Sequence, residues 1–471
     1  MQGNSTALDS SAVAAWVDQV WEADILPELV EYIKVPAKSP LFDKDWKQHG
    51  HLDRVFAQAE AWCRGRAIPG LQVELLQPEG RTPLLYLEIP GEGEETVMLY
   101  GHLDKQPEMV GWREDLGPWQ PKREGDRLYG RGGADDGYAV FASLAAIEAL
   151  QKHGASHPRC VVLIEGCEES GSVDLPYYID LLAERIGDLS LVVCLDSGAG
   201  DYERLWSTTS LRGMVAGDLR IDVLSEGVHS GDASGVVPST FRVLRQVLDR
   251  VEEASSGRIL LDRFHVEVPE ARVEQARAAA EALGGHVKDK YPLLEGVRPM
   301  VEGSAEMILN RTWRPTLSVT GAGGLPALAD AGNVLRPFTA VKLSFRLPPT
   351  ADWREATAQV KEAMESDPPS GARVRFTPEK GANGWDAPPL ADWLAEAVDR
   401  ASRAYFGNPP VYMGEGGSIP FMGMLGERFP RAQFLITGVL GPKSNAHGPN
   451  EFLHIPCAKK LTCCVAEVLR G

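Results

Sequence analysis

Three short runs of apolar residues, each ending on a histidine or an acid, constrain this chain more than any other feature. TVMLY (96–100) runs into Gly101-His102-Leu103-Asp104, CVVLI (160–164) into Glu165 and then Glu168-Glu169, and LVVCL (191–195) into Asp196. A strand apolar on both faces belongs inside a sheet that is covered on both sides, and such sheets alternate strands with helices. The intervals agree. Apolar residues at three- and four-residue spacing predict helices over 9–35, 51–64, 138–153 and 175–186, with further strands over 71–76 and 84–89. The expected fold is an α/β sandwich, a mixed sheet with helices on both faces. Folds of this kind hold their ligands in loops at the carboxyl ends of the strands.

The pattern changes near Leu211. Alternating strands over 211–224 and 340–347, helices over 238–252 and 353–366, and a charged, Ala-rich insert over 253–303 suggest a separate α+β unit. A chain of 471 residues also exceeds one ordinary core. The expectation is one domain split in sequence, 1–210 and 385–471, interrupted by a second at 211–384. Lys+Arg 48 against Asp+Glu 66 gives a net charge of -18, which disfavours a nucleic-acid partner. No apolar run is long enough for a membrane span, and the N-terminus reads as an amphipathic helix rather than a leader. Seven cysteines (63, 160, 167, 194, 457, 463, 464) without C-x-x-C spacing read as free, reduced thiols in a cytoplasmic protein.

The chemistry lies in five positions. Besides His102, Glu168-Glu169 and Asp196, they are Asp135-Asp136 in the Gly-rich turn YGRGGADDG and His447 in the loop SNAHGPNE. Singly, each has an ordinary reading as a helix cap or a surface turn. Together they offer two imidazoles and several carboxylates with no converging thiolate, a donor set for Zn²⁺, with Mn²⁺ or Co²⁺ admissible. Residues i and i+2 of an extended segment point the same way, so Asp104 is placed to hold the second ring nitrogen of His102. Two ions about 3.5–4 Å apart need a bridging carboxylate, and would activate a shared water for a nearby carboxylate base.

HLD (102–104), GRGGADDG (130–137), EGCEESGS (165–172), CLD (194–196) and HGPNE (447–451) resemble one metallopeptidase family. It includes the carnosinases, cytosolic non-specific dipeptidases, aminoacylases, acetylornithine deacetylases and succinyl-diaminopimelate desuccinylases, and the dipeptidase branch is nearest. The resemblance implies a zinc-exopeptidase-type sandwich with an inserted lid/dimerisation domain, and a cis Asp135–Asp136 peptide. It implies that Asp135 bridges two metals, that His102 and Asp196 complete one, and that Glu169 and His447 complete the other. Glu168 becomes the general base and acid, and Asp104 the partner of His102. It further implies a homodimer in which His229, from GVHSG, reaches the partner subunit's active site to steady an oxyanion. Arg346 would clamp a substrate carboxylate faced by Gly417 and Ser418, with Asn333 nearby. Glu415 is the candidate for a free substrate ammonium.

Three departures from the family wording stand out: Gly137 where a lysine is usual, Gly414 where carnosinase-like members carry arginine, and Gly384-Trp385-Asp386 where they carry a histidine. The expected function is metal-dependent hydrolysis of the amide bond in dipeptides or short peptides. An N-acyl amino acid amidohydrolase is the alternative. A non-catalytic binding homologue is more remote, because the base and every ligand position are filled.

Overall fold

The computed structural model describes residues 8–417 and 420–471, and the chain divides into two compact units. The first comprises the residues up to Thr209 together with Ala387–Met413 and Met424–Gly471; the second comprises Ser210–Asp386 and Gly414–Gly423.

The first unit is built on a six-stranded sheet: β1 (Gln72–Leu76), β2 (Leu84–Ile89), β3 (Thr96–His102), β4 (Arg159–Glu165), β5 (Leu191–Cys194) and β6 (Gln433–Ile436), in the spatial order β1-β2-β4-β3-β5-β6. β3 runs parallel to both β4 and β5, and β6 parallel to β5, while β1 and β2 add an antiparallel edge. Every residue of β3 and β5 is buried, as their unbroken apolar character requires. Helices Ser10–Val20, Ala139–Lys152 and Ile455–Leu469 pack on one another and share one core with Leu99, Val162 and Val193. A hydrogen bond from the Trp21 indole to the Thr462 hydroxyl (3.1 Å) ties the two chain ends together inside that core.

The expected helix over 9–35 is interrupted by a wide π turn at Trp21–Ile25, just before Pro27. Proline has no N–H to give to the preceding turn, so the helix accommodates it by a local change of winding. The segment expected as one helix over 175–186 breaks into Leu175–Leu181 and Ala183–Ile186.

The second unit has a four-stranded antiparallel sheet in the order Thr316–Gly323, Phe338–Leu347, Gly213–Asp222, Arg373–Ala382. The two central strands alternate strictly between buried and less buried residues. One face therefore packs under helices Thr240–Leu248 and Trp353–Glu365 around Val215, Leu219, Phe345 and Val360. The edge strands Thr316–Gly323 and Arg373–Ala382, not anticipated from the sequence, carry mostly exposed residues. The insert at 253–303 contributes helix Glu270–Leu283 and shorter pieces. Among the described residues no helix is long and apolar enough to cross a membrane.

Candidate metal centre

β3 lies between β4 and β5, so three parallel strands deliver their carboxyl ends to one place, where an open α/β sheet holds its ligand. His102 is the last residue of β3, while Glu168 and Glu169 follow β4 and Asp196 follows β5. The turn Gly133–Gly137, immediately before helix Ala139–Lys152, brings in Asp135 and Asp136 across a cis peptide bond. His447 arrives from a loop in which Lys443, Asn445, His447 and Asn450 all take positive φ.

These side chains converge. His102 Nε2 is 3.3 Å from Asp135 Oδ1, 3.7 Å from Asp196 Oδ2 and 4.0 Å from Glu168 Oε2. His447 Nε2 is 3.0 Å from Asp135 Oδ2 and 3.5 Å from Glu169 Oε2. Asp135 therefore turns one oxygen to each imidazole. Two donor sets, His102 with Asp135 and Glu169, and His102 with Glu168 and Asp196, each lie within the reach of one ion.

The surroundings hold the donors in place. His102 Nδ1 lies 3.0 Å from the Asp104 carbonyl oxygen and 3.4 Å from its carboxylate, so the backbone, more than the expected carboxylate, fixes the ring. The Asp104 carboxylate accepts instead from the Glu168 and Glu169 amides, at 3.1 and 3.0 Å, and so sets the turn that carries both glutamates. Gln106 donates to Glu169 at 2.5 Å, and Asp136 accepts from the His102 amide at 3.3 Å. Gln106 was not picked out from the sequence, and the buried Glu165, noted there only as the acid ending its strand, accepts from Tyr100, Ser172 and Cys167.

The electrostatics call for cations. Burial, then neighbouring carboxylates, pushes Glu168 and Glu169 well above the usual carboxylate range, and burial lifts Asp196 to about 6. Burial also opposes the charge on Asp135, but His102 and His447 outweigh it and hold that carboxyl far below the ordinary value. Burial likewise depresses His102, yet Asp104 and Asp135 overcome it and raise the imidazole. So many acids this close are tolerated only when positive charge lies among them. His102 Nε2 is fully buried and makes no hydrogen bond, although it faces the acids. An orphaned imidazole nitrogen amid carboxylate oxygens, with no cysteine among the donors, fits borderline divalent ions.

The remaining sequence candidates fall in the second unit. His229 pairs with Val334 in a two-residue ladder, and Ser230 N donates to the Asn333 carbonyl (2.9 Å), so His229 and Asn333 are neighbours. Arg346 lies in register between Met214 and Thr316 on the four-stranded sheet. Gly417 accepts from the Arg212 amide (3.1 Å), and the Arg212 guanidinium donates to the Gly416 carbonyl (3.1 Å), a support for this loop that sequence reading missed. Burial, with Arg346 and Arg311 nearby, pulls Arg212 down to about 10. Glu415 ends the strand Val411–Glu415 just before this loop, and Ser418 lies outside the described residues.

The three departures have local causes. At Gly137 a Cβ would meet the Tyr32 ring at 2.2 Å, and at Gly414 it would meet Ser210 Oγ at 2.4 Å. Asp386 is held by Arg272 (2.8 Å), whose charge suits an acid at that position and not an imidazole.

A parallel-centred α/β sheet with clustered nitrogen and oxygen donors at its strand ends defines a metallohydrolase. The chain belongs to Peptidase family M20/M25/M40, whose profile matches residues 98–471, and is an amide-bond hydrolase of that family. It is 28% identical to a cysteinylglycine-S-conjugate dipeptidase of Corynebacterium striatum, covering 77% of this chain and 79% of the relative. It is 27% identical to the human Beta-Ala-His dipeptidase over 76% of this chain and 72% of that one. The fold is shared with a di-peptidase from Saccharomyces cerevisiae at a TM-score of 0.78 and 21% identity, covering 98% and 99% of the two chains.

Proposed function

We propose that this chain is a dipeptidase whose single site holds two divalent ions, Asp135 bridging them, His102 and Asp196 holding one, and Glu169 and His447 the other. The observation that carries the reading is the splayed Asp135 carboxylate, with one oxygen toward each imidazole. When bound, the ions would polarise the scissile carbonyl and acidify a water. The protein's own part is proton traffic and positioning. Glu168, with its amide fixed by Asp104 and its side chain 13% exposed, takes a proton from water and returns it to the leaving amine. Zinc suits the two imidazoles and the tightly grouped carboxylates, with manganese and cobalt as substitutes.

The second unit supplies the substrate-holding groups in this reading: His229 and Asn333 for the developing oxyanion, Arg346 with Gly417 and Ser418 for the substrate carboxylate, and Glu415 for its ammonium. The protein acts as a homodimer, with His229 serving the partner subunit's site. The exposure of His229 and the exposed edge strand Thr316–Gly323 support this. Seven free, buried cysteines support a reducing, cytoplasmic setting. The named relatives, which act on cysteinylglycine conjugates and on Beta-Ala-His, favour free-amine dipeptides over N-acyl amino acids.

The test is hydrolysis of matched free and N-acetylated dipeptides by protein reconstituted with Zn²⁺, Mn²⁺ or Co²⁺. Free-amine dipeptides should be the better substrates with at least one of the metals. Preference for the blocked series would transfer the assignment to the amidohydrolases, and no turnover of either would end it.

A further inference from the structure

The chemistry above leaves one buried charge pair unused. Arg131, 1% exposed, donates from Nη1 to the fully buried Glu451 carboxylate, from Nη2 to the Gly448 carbonyl (2.7 Å) and from Nε to the Pro107 carbonyl (3.2 Å). Glu451 also accepts from the Gly132 amide (2.9 Å), and its own carbonyl accepts from the Gly130 amide (3.0 Å). Arg131 stands four residues before Asp135 and Glu451 four after His447, so the pair joins the two loops that carry these ligands.

We propose that Arg131 and Glu451 form a latch that sets the distance between His447 and Asp135, and through it the affinity of the site for its metals. The inference rests on the two-ion reading. The His447 loop needs such a device. Four of its residues other than glycine sit in the left-handed region, a conformation that persists only where surroundings impose it, and the His447 side chain is 54% exposed. His447 aside, the loop's asparagine side chains stay within it or reach Arg113: Asn445 Nδ2 donates to the Pro449 carbonyl (2.5 Å), and Asn450 Oδ1 accepts from the Arg113 amide (2.7 Å). Apart from the His447–Asp135 approach that it would set, the Arg131–Glu451 pair is, among the described residues, the side-chain tie between this loop and the turn that presents Asp135. Lys105 braces that turn as well, its stem lying where a Cβ on Gly132 would come within 2.8 Å. A buried ion pair that serves stability alone can be exchanged for packed apolar residues. Here each partner also hydrogen-bonds backbone of the opposite loop, and apolar residues cannot supply those bonds.

The experiment compares the full-length wild-type chain with Glu451→Gln and with the double variant Arg131→Met/Glu451→Met. Each protein is stripped of metal and measured in three ways: Zn²⁺ titration against a competing chelator, thermal unfolding, and limited proteolysis within residues 443–450. Glu451→Gln should weaken at least one zinc site by about tenfold or more, the scale of losses when groups orienting metal ligands are removed. It should also speed cleavage of the loop. The double variant leaves no unpaired buried charge, so it should unfold at a higher temperature than Glu451→Gln, yet keep the weakened zinc binding and the faster cleavage. Recovery of zinc affinity and loop protection in the double variant would reduce the pair to a structural element and overturn the latch, as would wild-type values of both in Glu451→Gln. If Glu451→Gln does not fold, the double variant decides alone. If the wild-type chain binds none of Zn²⁺, Mn²⁺ and Co²⁺, the two-ion reading fails, and loop cleavage still decides whether the latch exists.

Discussion

Glu168 is held by its backbone rather than by a partner for its side chain. The Asp104 carboxylate fixes its amide at 3.1 Å, while Oε2 stands 4.0 Å from His102 Nε2, farther than the Asp196 oxygen at 3.7 Å. That leaves the carboxylate beside the proposed ion positions but available for proton transfer. Glu168→Gln keeps the size and removes the proton acceptor, so kcat should fall by about 10²–10⁴, with two equivalents of metal still present by elemental analysis. Activity near wild type would assign the proton to another group. A second residue-scale test concerns Gly137, whose missing side chain leaves room for the Tyr32 ring. Gly137→Ala should cost about 1–3 kcal/mol by urea unfolding, because the ring cannot give way inside a packed core. The candidate ligands stood out in the sequence because each is a histidine or acid at the end of an apolar strand, in a Gly-rich turn or in a Gly/Pro-rich loop. Arg131 was not singled out, because its meaning depends on a partner 320 residues away.

At the scale of elements, legibility followed burial. β3, β4 and β5 announce themselves as continuous apolar runs because both faces are covered. Thr316–Gly323 and Arg373–Ala382 escaped because an exposed edge strand needs no apolar residues, and the order β4-β3-β5 is a matter of pairing that no local pattern records. The seam between the chain ends offers a pH test. Glu22, in the π turn, is paired with Arg123 (2.6 Å) and with Lys459 of the last helix (2.7 Å), and these hydrogen bonds bring its carboxyl down to about 2. An acid with a lowered folded pKa adds stability above its unfolded value near 4.5 and loses that contribution as pH falls toward about 2. At 39% exposure, screening limits the effect to about 1 kcal/mol. Glu22→Gln should thus be less stable than wild type at pH 6, and the two urea curves should merge near pH 2. A gap that stays constant across that range would show that the charge of Glu22 is not the cause.

For the whole molecule, the question is which chain completes which site. All the metal-binding candidates lie in the first unit, whereas His229, Asn333 and Arg346 lie in the second. If His229 serves its own chain's site, mixing two dead variants changes nothing. If it serves the partner subunit's site, Glu168→Gln and His229→Ala complement each other. In the mixed dimer, the protomer that retains Glu168 receives an intact His229 from its partner, while the other site lacks both groups. Random exchange makes half the dimers mixed, and each mixed dimer has one working site of two, so activity should recover to about a quarter of wild type. The measurement is dipeptide turnover after the two metal-loaded variants are co-expressed, with each variant alone as the baseline. Recovery requires both a dimer and a shared site, because neither monomers nor dimers with self-contained sites can assemble the missing pair. Turnover no higher than the baseline, from samples in which mixed dimers are demonstrated by mass, would confine His229 to its own chain.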